Sequence, residues 1–377
     1  MRCQTSEEKV LPSTKTDLLM ERVQVKGYEQ VWKVCDPQTK LRAVIAIHNT
    51  NLGPALGGVR IYPYASWELA LMDALKLSEG MTLKSAIAAV GYGGGKSVIL
   101  ADPRKDKSEE LLFSFARAVD ALKGSYICAE DVGSSPEDML VIRKKTPYVV
   151  GLPHQNCSGD PGPFTAWGVF RGIQSAMKKL FGSDSVKGKR ILIQGLGDVG
   201  GPLANILFWE GAELLVCDVN REKMLQMARR FDAQMILPEE IYKTPCDLFS
   251  PCALGGIVND QTLPQLRCKA IAGSASNQLA RENLADKLQE RGILYVPDFV
   301  ISAGGLLNVA YELFPGGYHA KKARDATDTI YETLTSIYAM AEKNNISPLR
   351  AALALANYRI QYGIGKRTQP PCFPQII

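Results

Sequence analysis

The chain has 377 residues, 46% hydrophobic and 22% charged, with a net charge of +5. That length suits two soluble domains better than one, and the scattered basic residues give no ground for a nucleic-acid or membrane partner. No apolar run approaches the roughly 20 residues of a membrane span; the polar stretch Met1–Thr16 lacks the core of a secretory signal, and nine cysteines without a Cys-x-x-Cys fit a reduced, cytoplasmic protein.

From Leu41 to His48 the chain is almost continuously apolar and β-branched, which predicts a buried strand. Leu52–Tyr64, rich in Gly and Pro, reads as a loop leading into a helix over Trp67–Ser78. Ser85–Val90 and Ser97–Leu100 read as short strands around a glycine cluster, Ser108–Leu122 as a helix and Tyr126–Ala129 as a strand. Asp138–Lys144 reads as a helix. The shift to Ser, Gly, Asp and Pro over Asn156–Pro163 marks a link between domains. Beyond the helix Thr165–Phe181, strand Arg190–Gln194, helix Val199–Glu210, strand Glu213–Asp218 and helix Arg221–Arg230 alternate, which predicts a parallel sheet covered by helices. Asp325–Glu342 and Pro348–Tyr362 read as helices. His48, His154 and His319 lie far apart, so no metal site is expected.

Gly195-Leu196-Gly197-Asp198-Val199-Gly200 is a Gly-x-Gly-x-x-Gly run between a strand and a helix, and Asp218 ends the next strand about twenty residues on. Gly195 suits a tight turn, Gly197 a close approach to pyrophosphate, and Gly200 close helix–strand packing. The N-terminus of the helix offers free N–H groups to the anion. Asp218 would bond the adenine ribose and repel a 2′-phosphate, which favours NAD over NADP; Arg221 softens that preference.

Two lysines follow one another closely, Lys84 and Lys96, the second after Gly93-Gly94-Gly95. Glycines there let the backbone pack close to a ligand. Burial and a second nearby ammonium both lower a lysine's pKa toward that of a base, while the other lysine can hold a carboxylate. The spacing excludes a phosphate-binding P-loop, because Val90 stands where its first glycine belongs. Glu130 and Asp131 end a strand, where Asp131 suits either chemistry or a helix N-cap.

These residues resemble the leucine/phenylalanine/valine dehydrogenase branch of the glutamate dehydrogenase superfamily, with the leucine dehydrogenases closest. The resemblance runs from about Leu41 to Arg359 and rests on Leu52-Gly53-Pro54-Ala55-Leu56-Gly57-Gly58, Gly93-Gly94-Gly95-Lys96, Ala129-Glu130-Asp131-Val132-Gly133, Ser158-Gly159-Asp160-Pro161, Pro251-Cys252-Ala253-Leu254-Gly255-Gly256 and Ala303-Gly304-Gly305. It implies an α/β protein of two domains. Residues 1–161 would form a substrate and oligomerisation domain, 162–300 a Rossmann-type doubly wound NAD domain, and 301–377 helices packing back across the cleft onto the first.

The resemblance further implies oxidative deamination of an apolar L-amino acid to its 2-oxo acid and ammonia by a homo-oligomer. Lys84 would bind the substrate carboxylate, Lys96 would activate water, and Asp131 would exchange protons with the substrate nitrogen. Gly57 and Gly58 would approach the substrate, with Leu56, Ala129, Val150, Leu306 and Val309 around its side chain. Thr165, Ala253 and Asn277 would lie along the cofactor. Those apolar walls favour leucine, valine or isoleucine over glutamate, whose second carboxylate would be costly to bury unpaired; phenylalanine and tryptophan stay open. Ser276, Ser302 and Asn49 depart from the usual Asn, Asn and Asp. Two rival classes are a hydroxy-acid dehydrogenase, which commonly uses a histidine, and a catalytically silent NAD-binding regulatory protein.

Overall fold

The computed structural model describes residues 18–374; the stretch Met1–Thr16 lies outside them. They form two compact units. The first comprises residues 18–160, Val309–His319 and 359–374, the second Pro161–Asn308 and Ala320–Tyr358.

The sheet of the first unit has the order β1-β2-β3-β5-β4-β6. Its strands are β1 (Leu19–Arg22), β2 (Gln30–Asp36), β3 (Leu41–Asn49), β4 (Ala55–Tyr62), β5 (Gly93–Leu100) and β6 (Tyr126–Glu130). β4 runs parallel to both β5 and β6, while β3 runs antiparallel to β2 and β5. Helix α1 (Trp67–Ala88) covers one face, where Val44, Ala46 and Val98 meet Ala70 and Ala74. Helices α2 (Glu109–Ala121) and α3 (Pro136–Arg143) cover the other, packing Phe115, Met139 and Ile142 against Ile45, Ile47, Val59 and Ile61. β3 is therefore buried on both sides, which is why its sequence is apolar without alternation.

Two expectations are corrected here. Leu52–Tyr64 is mostly not a loop, because Ala55–Tyr62 is a central strand. Glycine is usually unfavourable in a strand, but Gly57 and Gly58 let β4 lie between two close neighbours. A Cβ on Gly57 would stand 1.8 Å from Gly95 O, and one on Gly58 2.6 Å from Glu130 O. Ser85–Ala88 is not a strand either, since α1 continues through it to a left-handed C-cap at Ala89. Its buried positions Ala74, Leu77, Ser78, Thr82, Ser85 and Ala86 keep helical spacing throughout, with no proline to stop it.

The second unit opens with α4 (Gly162–Phe181) and builds an all-parallel sheet in the order β12-β11-β10-β7-β8-β9. Its strands are β7 (Arg190–Gln194), β8 (Glu213–Cys217), β9 (Gln234–Met235), β10 (Leu248–Pro251), β11 (Ala270–Ile271) and β12 (Leu294–Tyr295). Helices α5 (Gly200–Trp209), α6 (Arg221–Phe231) and α7 (Leu284–Glu290) lie among them. The chain order reverses at β7, so a switch point opens at the C-terminal end of that strand.

After α8 (Asp298–Ile301) come α9 (Gly304–Tyr311), α10 (Ala320–Asp328), α11 (Ile330–Asn344) and α12 (Pro348–Tyr362). Of these terminal segments, Val309–His319 and 359–374 belong to the first unit, and 301–308 and Ala320–Tyr358 to the second. For α11 the cause is an apolar stripe: Leu334 and Ile330 lie over Gly168 and Gly172 of α4, glycines that leave room for them. Among the described residues no helix is long and apolar enough to cross a membrane.

Leu334 is fully buried. Leu334→Ala is expected to destabilise the second unit by about 2–5 kcal/mol, read as a lower denaturant midpoint; an unchanged midpoint would show that this stripe contributes nothing.

Candidate active site

Strand alternation gathers a polar cluster on the α1-facing side of the first sheet. Val98 faces α1, so Lys96 and Gly94, two and four residues before it, face the same way. Val59 and Ile61 face α2 and α3, which turns Leu56, Gly58 and Arg60 of β4 toward α1. Gly58 pairs with Ala129 on β6, and Asp131 follows two residues later on the same side.

Lys96 is 5% exposed, and its Nζ lies 2.7 Å from Asp131 Oδ1. Arg60 Nε donates to Asp131 Oδ2 at 2.9 Å, and its Nη1 donates to Asp73 Oδ2 at 2.9 Å. Tyr64 donates its hydroxyl to the same Asp73 oxygen. Burial pushes the Lys96 ammonium down in pKa; Asp131 opposes that and Arg60 adds to it. Burial alone would raise Asp131, yet Lys96 and Arg60 hold its carboxyl well below the usual carboxylate range. Asp131 is not a helix cap: Ser135 caps α3, in a reciprocal box with Asp138.

The glycines before Lys96 serve the chain's own packing rather than an open ligand surface. A Cβ on Gly94 would stand 2.1 Å from Thr82 N of α1, one on Gly93 2.1 Å from Asn49 O, and one on Gly95 2.7 Å from the Tyr126 ring. Gly57 and Gly58 are likewise closed in by β5 and β6, and the nearest side chain to a Cβ on Gly58 would be that of Asp131, at 2.7 Å. Lys84 is half-buried on α1, two residues beyond Thr82. Besides burial, the Arg60 guanidinium lowers Lys96.

Of the expected apolar walls, Leu56, Ala129, Val150 and Val309 are buried in the first unit, and Leu306 is buried in the second. Val150 N donates to Cys128 O, which sets it beside β6. A Cβ on Gly151 would meet Val309 Cγ1 at 3.9 Å. Glu312, 1% exposed, binds this region together: its Oε2 accepts from Gly151 N at 3.0 Å, Ser158 N at 2.9 Å and Ser158 Oγ at 2.5 Å.

In the second unit the glycine run forms the turn from β7 to α5. Gly195 takes φ +90°, and a Cβ on Gly200 would stand 1.8 Å from Gly195 O, so both positions demand glycine. A Cβ on Gly197 would meet nothing within 4 Å, which leaves open space beside the backbone where a pyrophosphate fits. Asp198 is exposed, and Val199 precedes the first residue of α5. Asp218 Oδ2 accepts from Leu196 N and Oδ1 from Asn220 N, each at 2.7 Å. Ala253 abuts Gly195, Asn277 takes φ +54° and accepts from Gly256 N, and Thr165 Oγ1 donates to Pro161 O at 2.9 Å. Pyrophosphate space, an acid at the next strand end and free helix N–H groups suit a dinucleotide.

Sequence reading missed Arg60, Asp73, Tyr64 and Glu312. A charged residue inside the run Gly57-Gly58-Val59-Arg60-Ile61 was a signal, obscured by reading that segment as a loop.

Residues 28–148 match the model of the Glu/Leu/Phe/Val dehydrogenase dimerisation domain, and residues 212–362 that of glutamate/leucine/phenylalanine/valine dehydrogenase. The chain is 47% identical to leucine dehydrogenase of Geobacillus stearothermophilus, over 91% of this chain and 93% of that one. It is 42% identical to phenylalanine dehydrogenase of Caldalkalibacillus thermarum, over 90% and 92%. The crystal structure of L-tryptophan dehydrogenase from Nostoc punctiforme superposes with a TM-score of 0.73 at 43% identity, covering 89% of this chain and 96% of that one.

Gly200→Ala would force the glycine turn open. Overpacking of this kind costs about 1–3 kcal/mol, so NADH affinity should fall roughly tenfold or more; fluorescence titration showing unchanged affinity would remove this turn from cofactor binding.

Proposed function

The chain belongs to the glutamate/leucine/phenylalanine/valine dehydrogenase family and is an NAD-dependent amino-acid dehydrogenase; from that premise we propose that its substrate is an apolar L-amino acid, leucine, valine or isoleucine first, worked on by Lys84, Lys96 and Asp131. The observation that carries this reading is the buried Lys96 ammonium 2.7 Å from Asp131 Oδ1, on the sheet face covered by the helix that bears Lys84.

Lys84 holds the substrate carboxylate as a point charge. Asp131 accepts a hydrogen bond from the substrate ammonium and relays one of its protons to water, which leaves Lys96, itself relieved of its proton to water, as the base for the later hydration step. Bound NAD would supply the acceptor for the hydride that leaves the α-carbon. The imine that results is attacked by water. Lys96 removes a proton from that water as the new C–O bond forms and the C=N pair returns to nitrogen. Lys96 returns that proton to the nitrogen by way of Asp131, then takes the hydroxyl proton as the C=O bond forms and the C–N bond breaks, releasing ammonia and leaving the 2-oxo acid. Leu56, Ala129, Val150, Leu306 and Val309 are the apolar walls for the side chain, and each is buried and uncharged. Gly57 and Gly58 give the backbone its close passage beside Asp131.

Gly195, Gly197, Asp198, Val199 and Gly200 cradle the pyrophosphate, Asp218 holds the ribose, and Thr165, Ala253 and Asn277 flank the nicotinamide end. A cytoplasmic homo-oligomer belongs to the same proposal, supported by the dimerisation-domain description that residues 28–148 match.

NADH formation, measured with NAD and each common L-amino acid at alkaline pH, tests the substrate. Leucine, valine and isoleucine should lead and glutamate should fail. A preference for phenylalanine or tryptophan would keep the chemistry and replace the substrate, and silence with all of them would sink the reading. Lys96→Ala should lower kcat by about 10²–10⁴ while NADH still binds; undiminished turnover would remove Lys96 as the base. NAD should exceed NADP in kcat/KM, because the Asp218 carboxylate repels a 2′-phosphate; equal efficiency would mean that the repulsion is neutralised.

A further inference from the structure

We propose that Arg60 is a positioning residue for this reaction: it occupies Oδ2 of Asp131 and leaves Oδ1 as the point for which Lys96 and the substrate nitrogen compete, so that the arriving ammonium displaces Lys96 and frees it to act as base. The inference rests on the assignment of Lys96 and Asp131 made above.

The geometry supports it in three ways. First, Arg60 spans two carboxylates through different nitrogens, Nε to Asp131 and Nη1 to Asp73, each at 2.9 Å. A lysine offers a single charged point and cannot brace both in fixed directions. Second, Asp73 is itself anchored to Tyr64, so the brace runs back into α1 and the end of β4. Asp131 is thereby held from the side opposite Lys96. Third, the charges balance before substrate arrives: two cations, Lys96 and Arg60, face two anions, Asp131 and Asp73.

A zwitterionic substrate gives its carboxylate to Lys84 and brings an ammonium to Asp131. The cluster then has three cations against two anions. Loss of one proton from Lys96 to water restores the balance, and Arg60 cannot be the one to lose it because a guanidinium stays charged. Lys96 is also the cation that burial already penalises. The remaining ionisable groups on the elements packed around Lys96 are Glu68, Lys76, Glu79 and Lys84 on α1, Arg42 and His48 on β3, Tyr62 on β4, and Tyr126, Cys128 and Glu130 on β6. Tyr126 donates its hydroxyl to Gly57 O, and His48 Nδ1 is bonded to Thr82 Oγ1.

The test is the pH profile of kcat/KM for Arg60→Met and Arg60→Lys, with NADH binding as the check on folding. Removing the guanidinium takes a like charge from Lys96 and a counter-charge from Asp131. Both groups then titrate higher, and the rising limb should move up by about one pH unit, roughly a tenfold loss at neutral pH. Arg60→Lys keeps the charge, so its limb should stay near that of the wild type while kcat falls, because Asp131 is no longer braced.

Equal losses at every pH in both variants would mean a structural role only and would overturn the proposal, as would an unmoved limb in Arg60→Met. Should Arg60→Met not fold, a wild-type kcat in Arg60→Lys would overturn it alone. If Lys96→Ala abolishes turnover and Arg60→Met leaves the limb in place, this inference fails while the base assignment stands; if Lys96→Ala turns over normally, the assignment itself has failed.

Discussion

An ammonium can be kept inside a protein only beside a counter-charge, and the first unit is arranged to supply one to Lys96. The carboxylate lies just past the end of one strand, the guanidinium that steadies it is on the next, and the lysine is on the strand beyond. Three side chains from three parallel strands can meet in this way only if the strands and the covering helix lie very close. The glycines meet that requirement. Their missing Cβ atoms are replaced by Gly95 O against Gly57, Glu130 O against Gly58 and Thr82 N against Gly94. The same close packing that builds the core delivers the reactive groups to one place.

The resulting site carries opposed tendencies. Burial disfavours a charged Lys96, while Asp131 favours it. A carboxylate gripped by two cations is a poor proton store. The catalytic polarity is thus concentrated on one face of one sheet; its other face, under α2 and α3, is largely apolar core, with Asp36 held by Ser114 and Arg117.

Much of this was legible in the sequence. The parallel sheet of the second unit followed from alternating strand and helix patterns, and the glycine turn and Asp218 followed from spacing, because each step of that motif answers a local backbone demand. Lys84, Lys96 and Asp131 were legible as a set only through resemblance, since nothing local tells a lysine on a strand from a solvated one. What stayed hidden was non-local. β4 was taken for a loop because its glycines signal turns in isolation; the strands on either side that make them necessary come from residues far along the chain. Ser85–Val90 reads as a strand for its apolar residues, but Ser85–Ala88 belong to a helix that begins at Trp67. Arg60 and Glu312 escaped for the same reason: their partners lie 71 residues away at Asp131 and 154 at Ser158.

Asp218, proposed to recognise the ribose, is also fixed by architecture. Its two carboxylate oxygens already receive the N–H of Leu196 in the glycine turn and of Asn220, whose side chain caps α6. The carboxylate proposed to read the cofactor's sugar is therefore also a strut between two loops. Replacing it to admit a phosphorylated cofactor would remove the strut as well as the repulsion. A lineage could change its redox currency here only by first finding another way to hold those loops together, which makes cofactor choice one of the harder traits of this enzyme to evolve or to engineer.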